Sequence, residues 1–421
     1  MMKRSCRPVA MILAGIALFS LAACQGRAQN VSSPAASPAP VSSSAVSPTP
    51  TPPPAASSAA AEQPQAVEAR PLSSSDFTEL PSLFPEGIDQ VLVVSGTIFA
   101  RSEQALWKVE NHERQKVLDL IPNICVDRFQ LQKTSTGYLA LFVATDESDP
   151  LGNLMPEASD TYAFCKVLDD AFHETEQIDF DVLAEQNKLT TNPLFLAVSP
   201  DNQQLACVYG GLAQPAAVLF YNLETQNTVI VSAANDTSGI NVTSIEACRF
   251  AADSAGLAFA GQGLRAEGLS FPIYGKVLQN GSTEIYCPTE ISGDLLFSSR
   301  AKFNVSSIFL PEDDRYKDGR CLQIDLSTMT EHALSLTDAS EGNLIYPSED
   351  GQYLCTIGSF SPMGPYTLCV YDMANNQNCV LSQSVSQPNG ARVLLLSDQR
   401  ICVLVNGSGD GSNPSVSAWD F

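Results

Sequence analysis

The sequence predicts an all-β protein folded as a β-propeller, most simply one with seven four-stranded blades. Three observations predict this fold class. Short strand-like runs separated by turns fill the chain beyond residue 75, with few helical patterns. A turn centred on an acidic residue recurs between such runs, and its copies lie about 48 residues apart. A period of this length, holding about four strands, is typical of propeller blades.

The number of recurring turns predicts the number of blades. Four of them carry an aspartate between two strand-like runs: Asp201, Asp253, Asp350 and Asp398. The second gap is about twice as long as the others, so a degenerate copy is expected near residue 300, at Leu296–Arg300. Two further turns lie upstream, within Val94–Phe99 and Ser135–Leu141. Seven turns predict seven blades, and six blades or a two-domain β-sandwich are the alternatives left open.

Two more strand-like segments follow each clear turn. Two such pairs are Ala217–Leu223 with Asn227–Val231, and Leu368–Met373 with Asn378–Leu381. The turn at residues 199–201, its Leu-Ala strand and the later Tyr-x-x-Asp/Asn-like strand together resemble the TolB-type, WD-like propeller repeat. The usual Asp-Gly pair of that repeat stands only at residues 350–351. This resemblance implies a propeller, but it implies no single function.

The last predicted blade has only three strands. They are Arg392–Leu396, Ile401–Val405 and Ser415–Phe421. An open sheet edge is a liability that proteins cover. We therefore expect the segment before the first blade, Asp76–Leu80, to pair beside Val416–Trp419 and close the ring. The clearest helical pattern in the chain is Phe180–Asn187.

The N-terminus has the pattern of an export signal. Lys3, Arg4 and Arg7 precede an apolar run, Val9–Ala23, that is too short to span a bilayer comfortably. The run ends in Leu-Ala-Ala-Cys, which resembles the lipobox of bacterial lipoproteins. The resemblance implies that residues 1–23 are removed and that Cys24 carries a diacylglyceryl group, which would anchor the chain to the outside of the cell membrane. An ordinary secretory signal or a short membrane anchor is the alternative.

Residues 24–75 form a predicted linker between this anchor and a domain at 76–421. The linker is almost wholly Ser, Ala, Pro, Val and Thr, with nothing bulky to bury. We expect a disordered tether with polyproline II character.

The chain is strongly acidic, with 23 Lys and Arg against 46 Asp and Glu and a formal net charge of −23. Such a field disfavours binding to nucleic acid. It favours cationic partners or calcium, with solubility as the alternative. Calcium loops are conceivable at Asn406–Gly411 and Asp146–Asn153, although hairpin turns explain both, and we expect no other cofactor.

Ten cysteines follow Cys24. Many lie within apolar strand-like runs, as Cys207 and Cys402 do, and there is no Cys-x-x-Cys pair. We therefore expect mostly free, buried thiols. Cys369 and Cys379 are the pair best placed for a disulfide, across a hairpin. The spacing does not suit zinc.

No catalytic motif is present. The sequence has no nucleophile elbow, zinc-binding His-Glu-x-x-His or phosphate-binding loop. The Gly-x-Gly at Gly261–Ala266 has no helix after it and is interpreted as a loop between strands. His112, His173 and His332 are far apart in polar sequence and are expected to be solvated.

Three insertions break the repeat period and predict where a ligand would bind: Asp146–Asp160, Gly261–Phe271 and Phe360–Pro365. Loops on one propeller face commonly form its binding surface. The candidate ligand-binding residues are Asp146, Asp149, Phe271, Tyr274, Phe360 and Tyr366. The alternative is that the aromatic residues among them cap the core.

These observations favour a membrane-anchored binding module for a protein, peptide or glycan. One alternative is a propeller enzyme, a glycan lyase or hydrolase, whose catalytic residues converge in the central funnel from different blades. Another is a structural partner in a cell-envelope assembly, which would expose a large apolar patch.

Overall fold

A computed structural model describes the following residues: 71–120, 129–145, 161–189, 192–211, 214–233, 240–264, 270–289, 300–311, 320–336, 344–359, 365–375, 378–386, 391–406 and 415–421. Within them the strands form seven antiparallel sheets, six of four strands and one of three, each paired in chain order. We number these sheets as blades one to seven.

The first four blades contain sixteen strands in chain order. They are β1 (Gln90–Val94), β2 (Thr97–Ser102), β3 (Ala105–Glu110) and β4 (Glu113–Asp119); β5 (Gln130–Lys133), β6 (Gly137–Thr145), β7 (Thr161–Asp169) and β8 (Glu174–Asp179); β9 (Asn192–Val198), β10 (Gln204–Gly211), β11 (Gln214–Asn222) and β12 (Thr228–Ser232); and β13 (Asn241–Phe250), β14 (Gly256–Leu264), β15 (Ser270–Leu278) and β16 (Thr283–Tyr286).

The remaining three blades follow the same order. They are β17 (Lys302–Phe303), β18 (Ser307–Pro311), β19 (Arg320–Asp325) and β20 (Glu331–Ser335); β21 (Leu344–Pro347), β22 (Tyr353–Ser359), β23 (Tyr366–Asp372) and β24 (Asn378–Val385); and β25 (Arg392–Leu396), β26 (Ile401–Asn406) and β27 (Ser415–Asp420).

The sheets form a closed ring, so the predicted seven-bladed β-propeller is confirmed. Seven clusters of buried apolar side chains fill the seven gaps between neighbouring blades. Phe99 meets Phe142 in the gap between blades one and two. Val403 meets Ile98 in the gap between blades seven and one. Because the last gap is filled like the others, neither six blades nor a two-domain sandwich describes the chain.

The second strand of each blade shows why the apolar runs predicted strands so well. Leu205–Gly210 in β10 and Ile401–Asn406 in β26 are buried at every residue, whereas most of the outer strand β4 is exposed or half-buried. A strand covered on both faces needs a continuous apolar run rather than alternation. The predicted three strands of blade seven are also confirmed as β25, β26 and β27.

The closing segment differs from the prediction. Asp76–Leu80 is not a strand but belongs to two short helices, α1 (Ser74–Thr78) and α2 (Leu80–Leu83). The backbone N–H and the hydroxyl of Ser73 both donate to Oδ2 of Asp76, each at 2.8 Å, and this capping interaction starts α1. Ser74 and Ser75, which the sequence assigns to the linker, are therefore helical.

These helices fill the wedge between blades seven and one. Phe77, Leu80, Phe84 and Ile88 are buried together with residues of β26, β27 and β2. Phe77 lies in α1 and Leu80 in α2, whereas Phe84 and Ile88 follow the helices. We call residues 72–88 the N-terminal latch, since they join the last blade to the first.

Polar contacts fasten the latch to blade one. Glu79 lies 2.5 Å from Nδ1 of His112, in the turn after β3. Glu86 pairs with Arg114 of β4, whose guanidinium lies 4.9 Å from the ring centroid of Phe84 and 4.6 Å from that of Trp107.

The fifth turn lies later in the chain than Leu296–Arg300. Leu296–Ser299 are outside the described residues, and the turn between β17 and β18 is at residues 304–306. Asn304 replaces the expected aspartate there: its Oδ1 accepts hydrogen bonds from the backbone N–H groups of Ser306 and Ser307, at 2.9 and 2.7 Å. Asparagine supplies the same acceptor without the acidic signature that located the other turns.

Gly261–Leu264 lie in strand β14 and not in the expected loop. A Cβ on Gly261 would lie 2.0 Å from the carbonyl oxygen of Ser244, so only glycine allows the two strands to approach here. The ladder between β13 and β14 is bulged on both sides of this contact. The prediction of a loop was therefore wrong, because Gly261 is needed for close packing of the two strands and does not mark a loop. The predicted helix at Phe180–Asn187 is present as α3 (Phe180–Gln186).

The nine described cysteines form no disulfide. Cys369 lies opposite Ser382 in the ladder and Cys379 lies opposite Tyr371, with a register shift between them, so the pair that the sequence places best for a disulfide does not form one. Cys369 is buried and Cys379 is exposed. Cys125 lies outside the described residues.

Candidate functional site

The two faces of the propeller are built differently. Because successive strands are antiparallel, the turns after the first and third strands of every blade lie at one face, which we call the short-turn face. The connections after the second strand and between blades lie at the other, the long-connection face. At that face β6 is joined to β7 through residues 146–160 and β16 to β17 through residues 287–301, whereas the short-turn face has turns such as Ser95–Gly96.

Side-chain hydrogen bonds hold the turns of the short-turn face. In blade six, Ser348 donates from its hydroxyl to Oδ1 of Asp350 at 2.7 Å and accepts from the N–H of Tyr353 at 2.9 Å. Blade three repeats the pattern with Ser199 and Asp201. The recurring acidic residue is therefore a turn former, as the sequence predicts.

The charge on Asp350 is stabilised locally. Burial opposes its ionisation, but hydrogen bonds from the N–H of Gln352 and from the hydroxyls of Ser348 and Ser397 hold the pKa of its carboxyl below the usual value. Ser397 belongs to blade seven and donates at 2.8 Å, so Asp350 also ties blade six to blade seven.

A second set of acidic turns follows the third strands. Asp325 accepts hydrogen bonds from the hydroxyl and N–H of Ser327 and from the N–H of Thr328. The Ser327 hydroxyl in particular, against the effect of burial, lowers the pKa of Asp325 to about 2. Asp372 and Asn222 form the same turn in other blades, which accounts for the repeated Asp/Asn after the third strand.

One ion pair spans non-adjacent blades. The guanidinium of Arg249, at the end of β13 in blade four, pairs with both carboxylate oxygens of Glu349 in blade six, with NH1 2.8 Å from Oε2. The backbone N–H of Val305 in blade five also donates to the carbonyl oxygen of Glu349, at 3.2 Å. This network ties blades four, five and six at the short-turn face. The two residues are 100 positions apart, and no local motif indicates the pair.

The inner strands are tied from blade to blade as well. Gln90 of blade one donates to the carbonyl oxygen of Phe129 in blade two at 3.3 Å. Arg392 of blade seven donates to the carbonyl oxygen of Asp89 before blade one at 2.9 Å. These hydrogen bonds therefore link blade one to both of its neighbours at the inner strands.

The candidate ligand-binding residues belong to blades two, four and six. Asp146, Asp149 and Phe360 lie outside the described residues, but β6 and β22, which precede them, both end at the long-connection face. Phe271 and Tyr366 lie near the starts of β15 and β23 at that same face, and both are half-buried. The topology thus directs the three predicted loops to one face of the ring.

Tyr274 lies deeper than a ligand contact requires. It is 2 % exposed, its hydroxyl donates to Oε1 of Glu331 at 2.6 Å, and its ring stacks on Tyr286 with centroids 5.6 Å apart. Burial and the nearby Glu331 carboxylate raise the pKa of the Tyr274 hydroxyl. The alternative that it caps the core fits this environment. The sequence placed Tyr274 beside a loop, whereas the structure places it in the middle of β15.

The described residues hold no group of three or more His, Cys, Asp or Glu side chains that could bind a metal ion. His112, His173 and His332 are exposed and belong to blades one, two and five, as their separation in the sequence predicts. Of the proposed calcium loop at Asn406–Gly411, only Asn406 is described, and its amide donates to the hydroxyl of Ser386 at 3.2 Å.

Large apolar side chains are scattered on the described surface. Val182, Val229 and Tyr286 are the exposed ones there, and they belong to different elements. Within the part of the chain that the structure covers, no helix is both long and apolar enough to cross a membrane.

Comparison with solved structures finds similar chains, among them two described as β-propeller domains. The β-propeller domain of Cps50 (Swd1) from Myceliophteria thermophila is similar with a TM-score of 0.48 and 8% identity, over 80% of this chain and 97% of that one. The β-propeller domain of the Trilobed protease from Pyrococcus furiosus is similar with a TM-score of 0.43 and 11% identity, over 70% and 82% of the two chains. An acylaminoacyl peptidase is similar with a TM-score of 0.44 and 10% identity, over 70% of this chain and 44% of its own. Identities this low concern the fold alone. No family model matches the sequence, and no curated protein matches it.

Proposed function

We propose that this chain is a lipid-anchored, extracytoplasmic binding module that presents its long-connection face to a protein, peptide or glycan. The observation that carries the proposal is that the two faces of the propeller are built differently. Hydrogen-bonded turns build the short-turn face, whereas the predicted insertions of blades two, four and six all attach at the opposite face. Loops of irregular length on a rigid frame are a common way to build a binding surface.

The N-terminal latch meets the propeller at the short-turn face, where Ser74 bonds to Asp420 at the end of β27. The proposed anchor at Cys24 and the Pro-rich linker would tether this domain to the membrane.

The described residues favour binding over catalysis. Their histidines are dispersed and exposed, and they hold no group of three or more His, Cys, Asp or Glu side chains that could bind a metal ion. Arg249 and Glu349, which the ring draws together from different blades, neutralise one another at the short-turn face. The enzyme alternative would need catalytic groups that converge from different blades.

Thermal melting against a ligand panel tests the proposal. The panel contains cell-wall fragments, plant and mucin glycans, peptides, and calcium with a chelator control. A ligand that binds only the folded state raises the melting midpoint by mass action. We expect one class to do so, and we expect Phe271→Ala with Tyr366→Ala to abolish the shift.

The matched control is Glu224→Ala, an exposed change in a turn of the short-turn face. It should leave the shift unchanged. A shift that Glu224→Ala removes and the two aromatic changes leave intact would overturn the proposed face. Turnover of the bound ligand would instead favour the enzyme alternative.

Lipidation is tested separately, by labelling cells with a radioactive fatty acid. We expect the full-length protein to incorporate the label and Cys24→Ser to lose both label and membrane association. Equal membrane association of both forms would overturn the anchor.

A further inference from the structure

The outer edge of blade seven differs from the edges of the other blades. Its sheet is the one with three strands among the described residues, so its third strand, β27, is the edge strand. The N–H of Phe421 donates to the carbonyl oxygen of Arg400 at 2.8 Å, which fixes the phase of the ladder with β26. In an antiparallel ladder alternate residues face the partner strand. The backbone groups of Val416, Ala418 and Asp420 therefore point outward, away from β26.

The outward backbone groups of Val416 and Ala418 have no backbone partner among the residues that the structure describes. The N-terminal latch does not pair with them. Phe77 and Leu80 belong to the same buried cluster as Val403 of β26 and Val416, which places the latch in the gap between blades seven and one. A fourth strand, as in the other six blades, would instead lie in the plane of the sheet.

Charge protects this edge little. Outer strands β4 and β8 carry several charged residues each, a common protection against pairing with other chains, whereas β12 and β24 carry none. β27 has the sequence Ser-Val-Ser-Ala-Trp-Asp, with no proline and a single charge at Asp420. Such an edge has the backbone pattern required for strand addition.

We propose that the outward edge of β27 binds an extended, basic polypeptide segment of a partner, which adds to blade seven as its fourth strand. The negative charge of the chain favours a basic segment as the occupant. The chain carries a net charge of −23, and Asp420 is exposed at the end of the strand. A second copy would bring two such charges together, and the chain's own linker is rich in proline, which cannot donate to a ladder.

The binding test uses the full-length chain and a fluorescent, end-capped ten-residue peptide of alternating valine and lysine. Anisotropy should show saturable binding. A peptide of the same sequence, N-methylated at alternate residues on its pairing edge, should not bind. Ala418→Pro removes one outward N–H, at a position where an edge strand tolerates proline, and should weaken binding about tenfold or more.

Asp420→Asn is the second variant, since an asparagine oxygen can still accept from Ser74 while the charge is lost. It should weaken binding of the lysine peptide and leave the melting midpoint nearly unchanged. Equal binding of the methylated and unmethylated peptides would overturn the proposal, as would no binding at about 1 mM peptide.

Hydrogen exchange identifies the occupant. The amides of Val416, Ala418 and Asp420 should exchange fast in the free chain and slowly with the peptide. If they are already protected, and removal of residues 1–70 exposes them, the occupant is the chain's own linker and the proposal is wrong. If they are protected only at high protein concentration, the occupant is a second copy and the proposal is equally wrong.

Discussion

Ser74 donates a hydrogen bond from its hydroxyl to Oδ2 of Asp420 at 2.8 Å, and this contact joins the first helix to the last strand across 346 positions of the chain. The contact is exposed and contributes little free energy by itself. It marks the point where the latch closes the ring, and the apolar side chains behind it supply most of the stabilisation.

Phe77→Ala tests that closure. Phe77 is 0 % exposed between blades seven and one, so its truncation should lower the free energy of unfolding by about 3–5 kcal/mol. Urea unfolding followed by fluorescence measures the change. The control is Val182→Ala on α3, where the side chain is 47 % exposed and the expected change is within about 0.5 kcal/mol. Equal effects would show that the latch does not hold the ring.

Gly261→Ala tests the close approach of β14 to β13. The new Cβ would meet the carbonyl oxygen of Ser244 at 2.0 Å, and the strands would have to separate. We expect a loss of about 1–3 kcal/mol, measured by chemical denaturation. Gly210→Ala is the control, because its nearest neighbour, Cδ1 of Leu194, is a side-chain atom at 3.3 Å. A larger loss at Gly210 than at Gly261 would contradict the assigned register.

Asp325 predicts a pH dependence. Its pKa of about 2 in the folded chain is below the usual value, so its charge stabilises the fold above the unfolded pKa of about 3.9. That contribution is lost as the pH falls through the folded value. Asp325→Asn keeps the turn's acceptor and removes the charge.

Urea unfolding of both forms at several pH values measures the effect. The variant should be less stable by about 1 kcal/mol at pH 7, and the difference should shrink as the pH falls from 4 towards 2. A difference that stays constant over this range would mean that the substitution acts through the turn's shape and not through its charge.

The cysteines should differ sharply in reactivity. Cys379 is exposed on the outer strand of blade six, whereas Cys207, Cys321 and Cys355 are fully buried, and burial raises the pKa of each of these three thiols. Timed maleimide labelling with peptide mapping should modify Cys379 first. Labelling of the buried three at the same rate would show that blades three, five and six open readily.

The turns and second strands were predictable because the chemistry that forms them is local. Ser348 and Asp350 stand two residues apart and make the turn between them, and the second strand after it is apolar because blades cover both its faces. The fifth turn was predicted at the wrong residues because the prediction relied on aspartate, whereas the amide oxygen of Asn304 accepts the hydrogen bonds there.

Other features depend on partners distant in the chain. Arg249 and Glu349 meet only because the ring brings blades four and six together. A register shift at Val370–Tyr371 sets which residues lie opposite Cys369 and Cys379, and the sequence does not reveal this shift. The latch did leave a signal, since Ser73-x-x-Asp76 before spaced apolar residues is a helix start. The expectation of a closing strand overrode that signal.

The candidate binding site stays a prediction. The period breaks indicate the insertions, and the topology places the strand ends that flank them at one face. The burial of Tyr274 was not predictable, because it comes from contacts with the neighbouring blade's Glu331 and with Tyr286, neither of which is adjacent in sequence.

Site-specific photo-cross-linking on intact cells tests the central claim most directly. A photoreactive amino acid replaces Phe271 at the long-connection face in one strain and Glu224 at the short-turn face in another. The proposed function predicts discrete adducts from position 271 and none from position 224. Adducts from position 224 alone would contradict the claim that the long-connection face is the binding face.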